Sequence, residues 1–197
     1  MNKQTLEEYF LELDEALSMA FPSSEPMDVI VVGGAFLVLT DVINRQTDDV
    51  DVIITNLEGM GEASLVYELN KTTRRVRRVI ETIGKNHGLK GSRRMWFNDD
   101  CSMFLQDMGP LPNVYLFRAY HKLHLYLPVD KGYILACKLM AGRANKDYGD
   151  IALLCTQLDV HTRVQAQTVV DRFFPLKEKQ DFHELSKTLD TIFNSNR

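Results

Sequence analysis

The stretch Val29–Thr55 constrains the fold most, because strand-forming runs alternate in it with a glycine turn and a helix-forming segment. Val29–Val32 is a short β-branched run, which is typical of a buried strand. Gly33–Gly34 interrupts that run, and the apolar segment Ala35–Ile43 predicts a helix packed on a sheet. A second β-branched run, Val50–Ile54, follows. The order strand, turn, helix, strand predicts a protein that mixes helices with a sheet.

Two acidic residues stand at the start of the second strand. Asp49 and Asp51 are two positions apart, so their side chains point to the same face of a strand. Neighbouring carboxylates repel each other, and a bound divalent cation would remove that conflict. Mg²⁺ prefers oxygen ligands and commonly combines one or two carboxylates with substrate phosphates. The pair therefore predicts a magnesium site.

Length and composition indicate one domain, or one domain with a small helical annex. The chain has 197 residues, and 45% of them are hydrophobic, which is enough for a sizeable core. No window approaches the roughly 20 apolar residues of a membrane span, and the first ten residues are too polar for a signal peptide. Three cysteines without a CxxC motif predict reduced thiols and a cytoplasmic protein: Cys101, Cys137 and Cys155.

Positive charge is concentrated in one segment, although the net charge of the chain is −4. Lys71–Arg94 holds nine basic residues and a single acid, Glu81. One interpretation is a solvated basic face on a helix. The other is a contact surface for the phosphates of a nucleotide or nucleic acid, because four arginines within Arg74–Arg78 exceed what solubility requires.

A lysine and a charged run mark the later part of the chain. Tyr133–Met140 predicts a helix in which Lys138 stands among apolar residues, an expensive position for an unpaired charge. The run Arg143–Asp150 follows and includes Asp147. These residues form either part of a functional site or a salt-bridge network that joins two helices.

Periodicity and capping signals predict the remaining elements. Thr5 and Glu8 fit a capping box at the start of an amphipathic helix. The predicted helices are Thr5–Phe21, Glu62–Asn86, His161–Phe174 and Glu178–Phe193, and the predicted strands are Val114–Phe117 and Leu123–Leu127.

The ordered motifs resemble those of a known superfamily. Gly33-Gly34-Ala35, Arg45-Gln46-Thr47-Asp48-Asp49-Val50-Asp51 and the later K-L-x-A and R-x-x-K-D-x-x-D motifs resemble the nucleotidyltransferase superfamily that includes DNA polymerase β. They are most similar to its small bacterial AbiEii-like or MNT-type branch. Trp96-Phe97-Asn98-Asp99 resembles an element of related proteins, although core aromatics followed by a helix cap would explain it equally.

The resemblance implies an α+β nucleotidyltransferase fold, with a small mixed sheet flanked by helices and a C-terminal helical annex. Residues 1–127 would form the nucleotidyltransferase-like core. Residues 128–197 would form a helical part packed on that core as a single structural unit.

The resemblance also implies Mg²⁺-dependent transfer of NMP from an NTP to an RNA end or a protein hydroxyl. The basic segment Lys71–Arg94 would contact the RNA, tRNA or protein acceptor, and an antitoxin would be a possible partner in toxin–antitoxin or phage defence. The implied catalytic residues are Asp49, Asp51, Lys138 and Asp147; the implied metal ligands are Asp49 and Asp51; and the implied nucleotide-binding residues are Gly33, Gly34, Arg45 and Thr47.

One departure from the superfamily pattern keeps an alternative open. Polymerase-like members place a third carboxylate on a later strand, whereas Tyr115–Phe117 and Leu123–Leu127 contain no acidic residue. Either Asp147 supplies the missing charge, or the chain is a non-catalytic nucleotide- or nucleic-acid-binding module of the same fold.

Overall fold

A computed structural model describes residues 1–55, 71–105 and 108–194. In these residues five strands form one mixed sheet in the order β3-β2-β1-β5-β4. The strands are β1 (Met27–Val31), β2 (Val50–Thr55), β3 (Phe97–Asn98), β4 (Val114–Ala119) and β5 (Leu123–Pro128). The predicted α+β class is confirmed, and a mixed sheet with flanking helices is consistent with a nucleotidyltransferase-like fold.

The central strand β1 is built from the predicted β-branched run. Val29, Ile30 and Val31 are at most 1% exposed, because strands pair with β1 on both sides and both faces of the sheet are covered there. β2 runs antiparallel to β1, with Val29 opposite Ile54. β5 runs parallel to β1, with Val29 opposite Leu125.

The described residues divide into two compact units. The first comprises Met1–Met103 and Val114–Leu127, and the second comprises Phe104–Asn113 and Pro128–Arg197, apart from the residues that are not described. The helices up to residue 105 are α1 (Lys3–Ala20), α2 (Gly33–Leu39), α3 (Lys71–Asn86) and α4 (Asp100–Leu105), with a 3-10 turn at Gly91–Arg94. α1 packs against α3, and α2 packs against β2.

Two helix ends in the first unit differ from the prediction. The predicted capping box of Thr5 and Glu8 is wrong, since α1 begins earlier and the side chain of Asn2 accepts a 2.8 Å hydrogen bond from the Thr5 N–H. α2 ends at Leu39 instead of continuing to Ile43, and Asp41 then adopts a left-handed backbone with φ 56°. The part of the predicted helix Glu62–Asn86 that precedes Lys71 lies outside the described residues.

The second unit is helical. Its helices are α5 (Lys131–Ala141), α6 (Ala144–Gln157), α7 (Arg163–Phe173), α8 (Lys177–Phe182) and α9 (Leu185–Asn194), and α5 packs against α6, α7 and α9. The predicted single helix Glu178–Phe193 is wrong, because Glu184 has φ 51° and separates α8 from α9. In the described part of the chain, no helix has both the length and the apolar character needed to cross a membrane.

Candidate functional site

The glycine turn joins β1 to α2 through a backbone that requires glycine. Gly33 has φ +62°, a left-handed conformation that costs residues with a Cβ about 1–2 kcal/mol. The preceding Val32 N–H donates a 2.9 Å hydrogen bond to the Asp51 carbonyl oxygen. This bond holds the turn against β2, the strand that carries the predicted acids.

The turn contacts the acidic motif so closely that a side chain would not fit. A Cβ atom at Gly33 would lie 2.5 Å from Asp51 Oδ2, and a Cβ atom at Gly34 would lie 2.8 Å from Thr47 Oγ1. Both distances are shorter than normal van der Waals contacts. Four of the predicted site residues are therefore brought together in the first unit.

Thr47 shapes the loop before β2. Its side chain is buried, and Oγ1 donates a 2.9 Å hydrogen bond to the Asp49 carbonyl oxygen. Its backbone N–H donates a 2.9 Å hydrogen bond to the Met1 carbonyl oxygen. Arg45 is exposed at the beginning of this loop and donates to the Gln46 carbonyl oxygen at 3.1 Å. The loop backbone is thus fixed on both sides of Thr47.

The two acids differ in their position on the strand. Asp49 immediately precedes β2 and Asp51 lies within it, and both are half-buried. Their oxygens are the hard donors that Mg²⁺ prefers, and a side chain at Gly33 would occupy the space directly beside Asp51 Oδ2. These residues fit a magnesium site. Next to them, Asp48 pairs with Arg93 across 3.7 Å at the surface.

Strand β3 adds a polar residue that was not predicted as part of the site. β3 runs parallel to β2, and the register aligns Asn98 with Asp51. Asn98 Oδ1 accepts a 3.2 Å hydrogen bond from the Asp100 N–H at the start of α4. The W-F-N-D element signalled this residue, but its alignment with Asp51 depends on strand pairing. The neutral amide of Asn98 is therefore aligned with Asp51. It lies on a different strand from the two on which the superfamily pattern led us to expect a third carboxylate.

The basic segment presents its arginines on α3. Arg74, Arg75 and Arg78 are exposed. Arg77 pairs with Asp99 across 3.6 Å, and the guanidinium of Arg75 lies 5.0 Å from the centre of the Phe21 ring. Lys71 begins α3, but the structure does not describe its side chain. α3 thus carries a solvent-accessible basic face. Both interpretations of the segment, a solvated surface and a contact surface for phosphates, require such a face.

Lys138 and Asp147 belong to a buried charge cluster in the second unit. The ammonium nitrogen of Lys138 lies 2.8 Å from Asp150 Oδ2 and 3.1 Å from Asp147 Oδ1. Lys138, Asp147 and Asp150 are 6%, 1% and 4% exposed. Arg143 Nε donates a 2.8 Å hydrogen bond to Asp147 Oδ2. The cluster links α5 to α6, as the predicted salt-bridge alternative requires.

Hydrogen bonds control the ionisation of Asp147. Burial alone would raise the pKa of this carboxyl, but the hydrogen bond from Arg143 and the positive charge of Lys138 outweigh burial and lower the pKa below its ordinary value. Asp147 is therefore a carboxylate with positive partners on both of its oxygens.

Comparison with protein families supports the superfamily predicted from the motifs. Residues 8–83 match a family described as "Nucleotidyltransferase of unknown function (DUF6036)". Searches of curated proteins and of solved structures gave no match. The matched region contains the glycine turn, Thr47, Asp49 and Asp51, whereas the AbiEii-like or MNT-type branch stays a prediction. The family match over residues 8–83 thus supports, for that part of the chain, the nucleotidyltransferase superfamily predicted from the sequence.

Proposed function

We propose that this chain is a Mg²⁺-dependent nucleotidyltransferase that moves NMP from an NTP to an acceptor hydroxyl. The contact between the glycine turn and the acidic motif is the observation that carries the proposal. Gly33 lies so close to the Asp51 carboxylate that a phosphate group on the turn would also lie beside this acid. The family match over the same residues supports the proposal.

Each predicted site residue that lies in the first unit has a proposed role in binding the nucleotide or the metal ion. Backbone N–H groups of Gly33 and Gly34 contact the triphosphate, because no side chain keeps it at a distance. Thr47 holds the loop in place, and Arg45 contacts phosphate from the surface. Asp49 and Asp51 hold Mg²⁺, which when bound neutralises phosphate charge and stabilises the attacking and leaving oxygens.

The acceptor is proposed to be an RNA end, such as that of tRNA, or a protein hydroxyl. The exposed arginines of α3 support an anionic acceptor, since each phosphate contact adds salt-dependent affinity. Membership of a toxin–antitoxin pair, with an antitoxin as partner, is proposed on family resemblance alone. A cytoplasmic location is proposed from the three free cysteines.

The roles of Lys138 and Asp147 remain a choice between two proposals. In the first, Lys138 contacts phosphate and Asp147 supplies the third charge. In the second, both residues only hold α5 and α6 together. Their burial and their mutual ion pair support the second proposal, because a phosphate contact would have to displace an existing carboxylate partner.

A second candidate function is nucleotide binding without transfer. Asn98 favours it, because this neutral amide is aligned with Asp51 and adds no third negative charge to the two acids. Such a module would bind an NTP through the glycine turn and act through a partner protein. The two functions differ in whether Mg²⁺ binding at the acids leads to covalent transfer.

Transfer of labelled NMP to tRNA or to lysate proteins tests the proposed enzyme. With α-labelled NTP and Mg²⁺ we expect labelled product from the unmodified chain, and at least a hundredfold less from Asp49→Asn and Asp51→Asn. Asp48→Asn is the matched control, because Asp48 is adjacent but exposed and paired with Arg93. Equal labelling by all four proteins would contradict the roles of the two acids.

Calorimetric titration with a non-hydrolysable NTP separates the two candidates. Mg²⁺-dependent NTP binding together with labelled product supports the enzyme. NTP binding that does not change with Mg²⁺, without labelled product, supports the binding module. Absence of NTP binding contradicts both functions for the glycine turn.

A further inference from the structure

An apolar cavity of about 260 Å³ lies in the first unit, and its described lining includes Asn98 but not the glycine turn, Thr47, Asp49 or Asp51. Its walls come from α1, β2 and α3, and they include the apolar side chains of Phe21, Val52, Ile54, Val76 and Ile80. Val52 and Ile54 alternate with Asp51 along β2, so they point to the opposite face of the sheet. An apolar cavity of about 150 Å³ accommodates benzene. This cavity therefore has room for a ligand of about ten non-hydrogen atoms.

A buried lysine contributes to the wall of this cavity. Lys122 is 6% exposed, and its ammonium donates to the carbonyl oxygens of Pro22, at 3.1 Å, and Ser24. An ammonium has three N–H donors, so these two bonds leave one donor. Among the described residues no carboxylate forms an ion pair with Lys122, although a buried charge is costly without one.

The acidic residues that line the cavity, and Asp14 beside the Lys122 backbone, are engaged elsewhere or exposed. Asp14 accepts hydrogen bonds from the backbone N–H groups of His121, at 3.3 Å, and Lys122. Asp99 pairs with Arg77 across 3.6 Å, and Glu25 is exposed. An anion inside the cavity would therefore give the Lys122 ammonium the partner that these residues do not provide.

We propose that the cavity binds a small amphipathic monocarboxylate, with its carboxylate beside Lys122 and its aliphatic tail against Val52, Ile54 and Val76. The size of the cavity matches a chain of about eight carbons. The apolar walls supply affinity in proportion to the buried tail, and the ammonium selects a negative head group.

Calorimetric titration of the full chain with octanoate tests the proposal, with octan-1-ol as an uncharged ligand of matched tail length. We expect one saturable octanoate site per chain and at least tenfold weaker binding of octan-1-ol. Trp96, the single tryptophan, gives a second readout because its ring lies 5.6 Å from that of Phe97, which lines the cavity. Its emission should change at the same octanoate concentration.

Variants locate the ligand. Lys122→Met should weaken octanoate binding about tenfold and leave octan-1-ol unchanged, and Lys90→Met, on an exposed side chain, should change neither. Val76→Trp should fill the cavity and abolish binding of both ligands. Absence of saturable octanoate binding, equal affinity for the two ligands, or unchanged binding in a folded Val76→Trp variant would overturn the proposal. The comparison of ligands on the unmodified chain decides the charge preference even if Lys122→Met does not fold.

Discussion

The ammonium nitrogen of Lys138 lies 2.8 Å from one carboxylate oxygen of Asp150 and 3.1 Å from one of Asp147. Removing this charge while leaving both acids buried should be strongly destabilising. We expect Lys138→Met to lower the free energy of unfolding by about 3–5 kcal/mol, measured by urea denaturation at pH 7. Lys187→Met, on a 75% exposed side chain, should change it by less than about 0.5 kcal/mol. Similar small losses in both variants would contradict a stabilising network.

Acid should remove the stabilisation that Asp147 provides. Because its hydrogen bonds lower the pKa of Asp147 below the ordinary 3.8, this contribution is complete above pH 3.8 and is lost as the pH falls through the lowered value. The stability difference between the unmodified chain and Asp147→Asn should therefore be constant from pH 5 to pH 7 and shrink below about pH 4. Asp181→Asn, on an exposed side chain, should show no such trend.

Glycine substitutions separate backbone strain from steric contact. Gly88→Ala introduces a Cβ at φ +75° with no atom within 4 Å, so it should cost only the strain of about 1–2 kcal/mol. Gly33→Ala adds the contact with Asp51 and should cost more, while also abolishing NTP binding. Gly149→Ala, in the interior of α6 with open space around it, should be neutral or stabilising by up to about 1 kcal/mol. Equal effects at Gly33 and Gly88 would show that Asp51 moves aside freely.

Two thiols should resist alkylation in the folded protein. Burial raises the pKa of Cys137 to about 12 and that of Cys155 to about 11. Because the thiolate is the reactive form, only about a thousandth or less of either thiol is reactive at pH 8. Mass spectrometry after iodoacetamide treatment should find both unmodified in the native chain and both modified in urea. Rapid native modification would mean that the second unit opens readily.

Substitution of Asn98 tests whether the side chain aligned with Asp51 belongs to the metal site. Asn98→Asp keeps the oxygen that caps α4 and adds a negative charge at the position aligned with Asp51. We expect the Mg²⁺ concentration for half-maximal NTP binding to fall about fivefold or more, since Mg²⁺ favours carboxylate oxygens. Asn113→Asp, on an exposed side chain, is the control. An unchanged Mg²⁺ requirement would place Asn98 outside the metal site.

Local patterns predicted the strands well and the helix breaks poorly. The runs Val29–Val32 and Val50–Ile54 correspond to β1 and β2, because β-branched residues at buried positions leave few alternatives. The break at Glu184 has neither glycine nor proline to signal it, and the α9 helix that follows it packs against α5, α7 and α8, which are contacts that local sequence does not reveal. Helix starts are ambiguous wherever two capping residues compete, as Asn2 and Thr5 do.

The predicted site residues of the first unit came from a resemblance between motifs, and their spatial relations came from tertiary structure. The contacts from Gly33 to Asp51 and from Gly34 to Thr47 follow from the antiparallel pairing of β1 with β2. The alignment of Asn98 with Asp51 joins strands that are distant in the chain. Local sequence carries no signal for such pairings, and Asn98 therefore could not be placed beside Asp51 in advance.

The pairing of β1 with β5 has a consequence for synthesis on the ribosome. β1 leaves the ribosome before its parallel neighbour, which begins only at Leu123, so one edge of the central strand stays open while the residues between the two strands are made. An exposed apolar edge is prone to pair with other chains, and distant pairings close slowly. A nascent chain that ends within residues 8–83, the region matched by the family, would therefore depend on chaperones and would aggregate when released without β5.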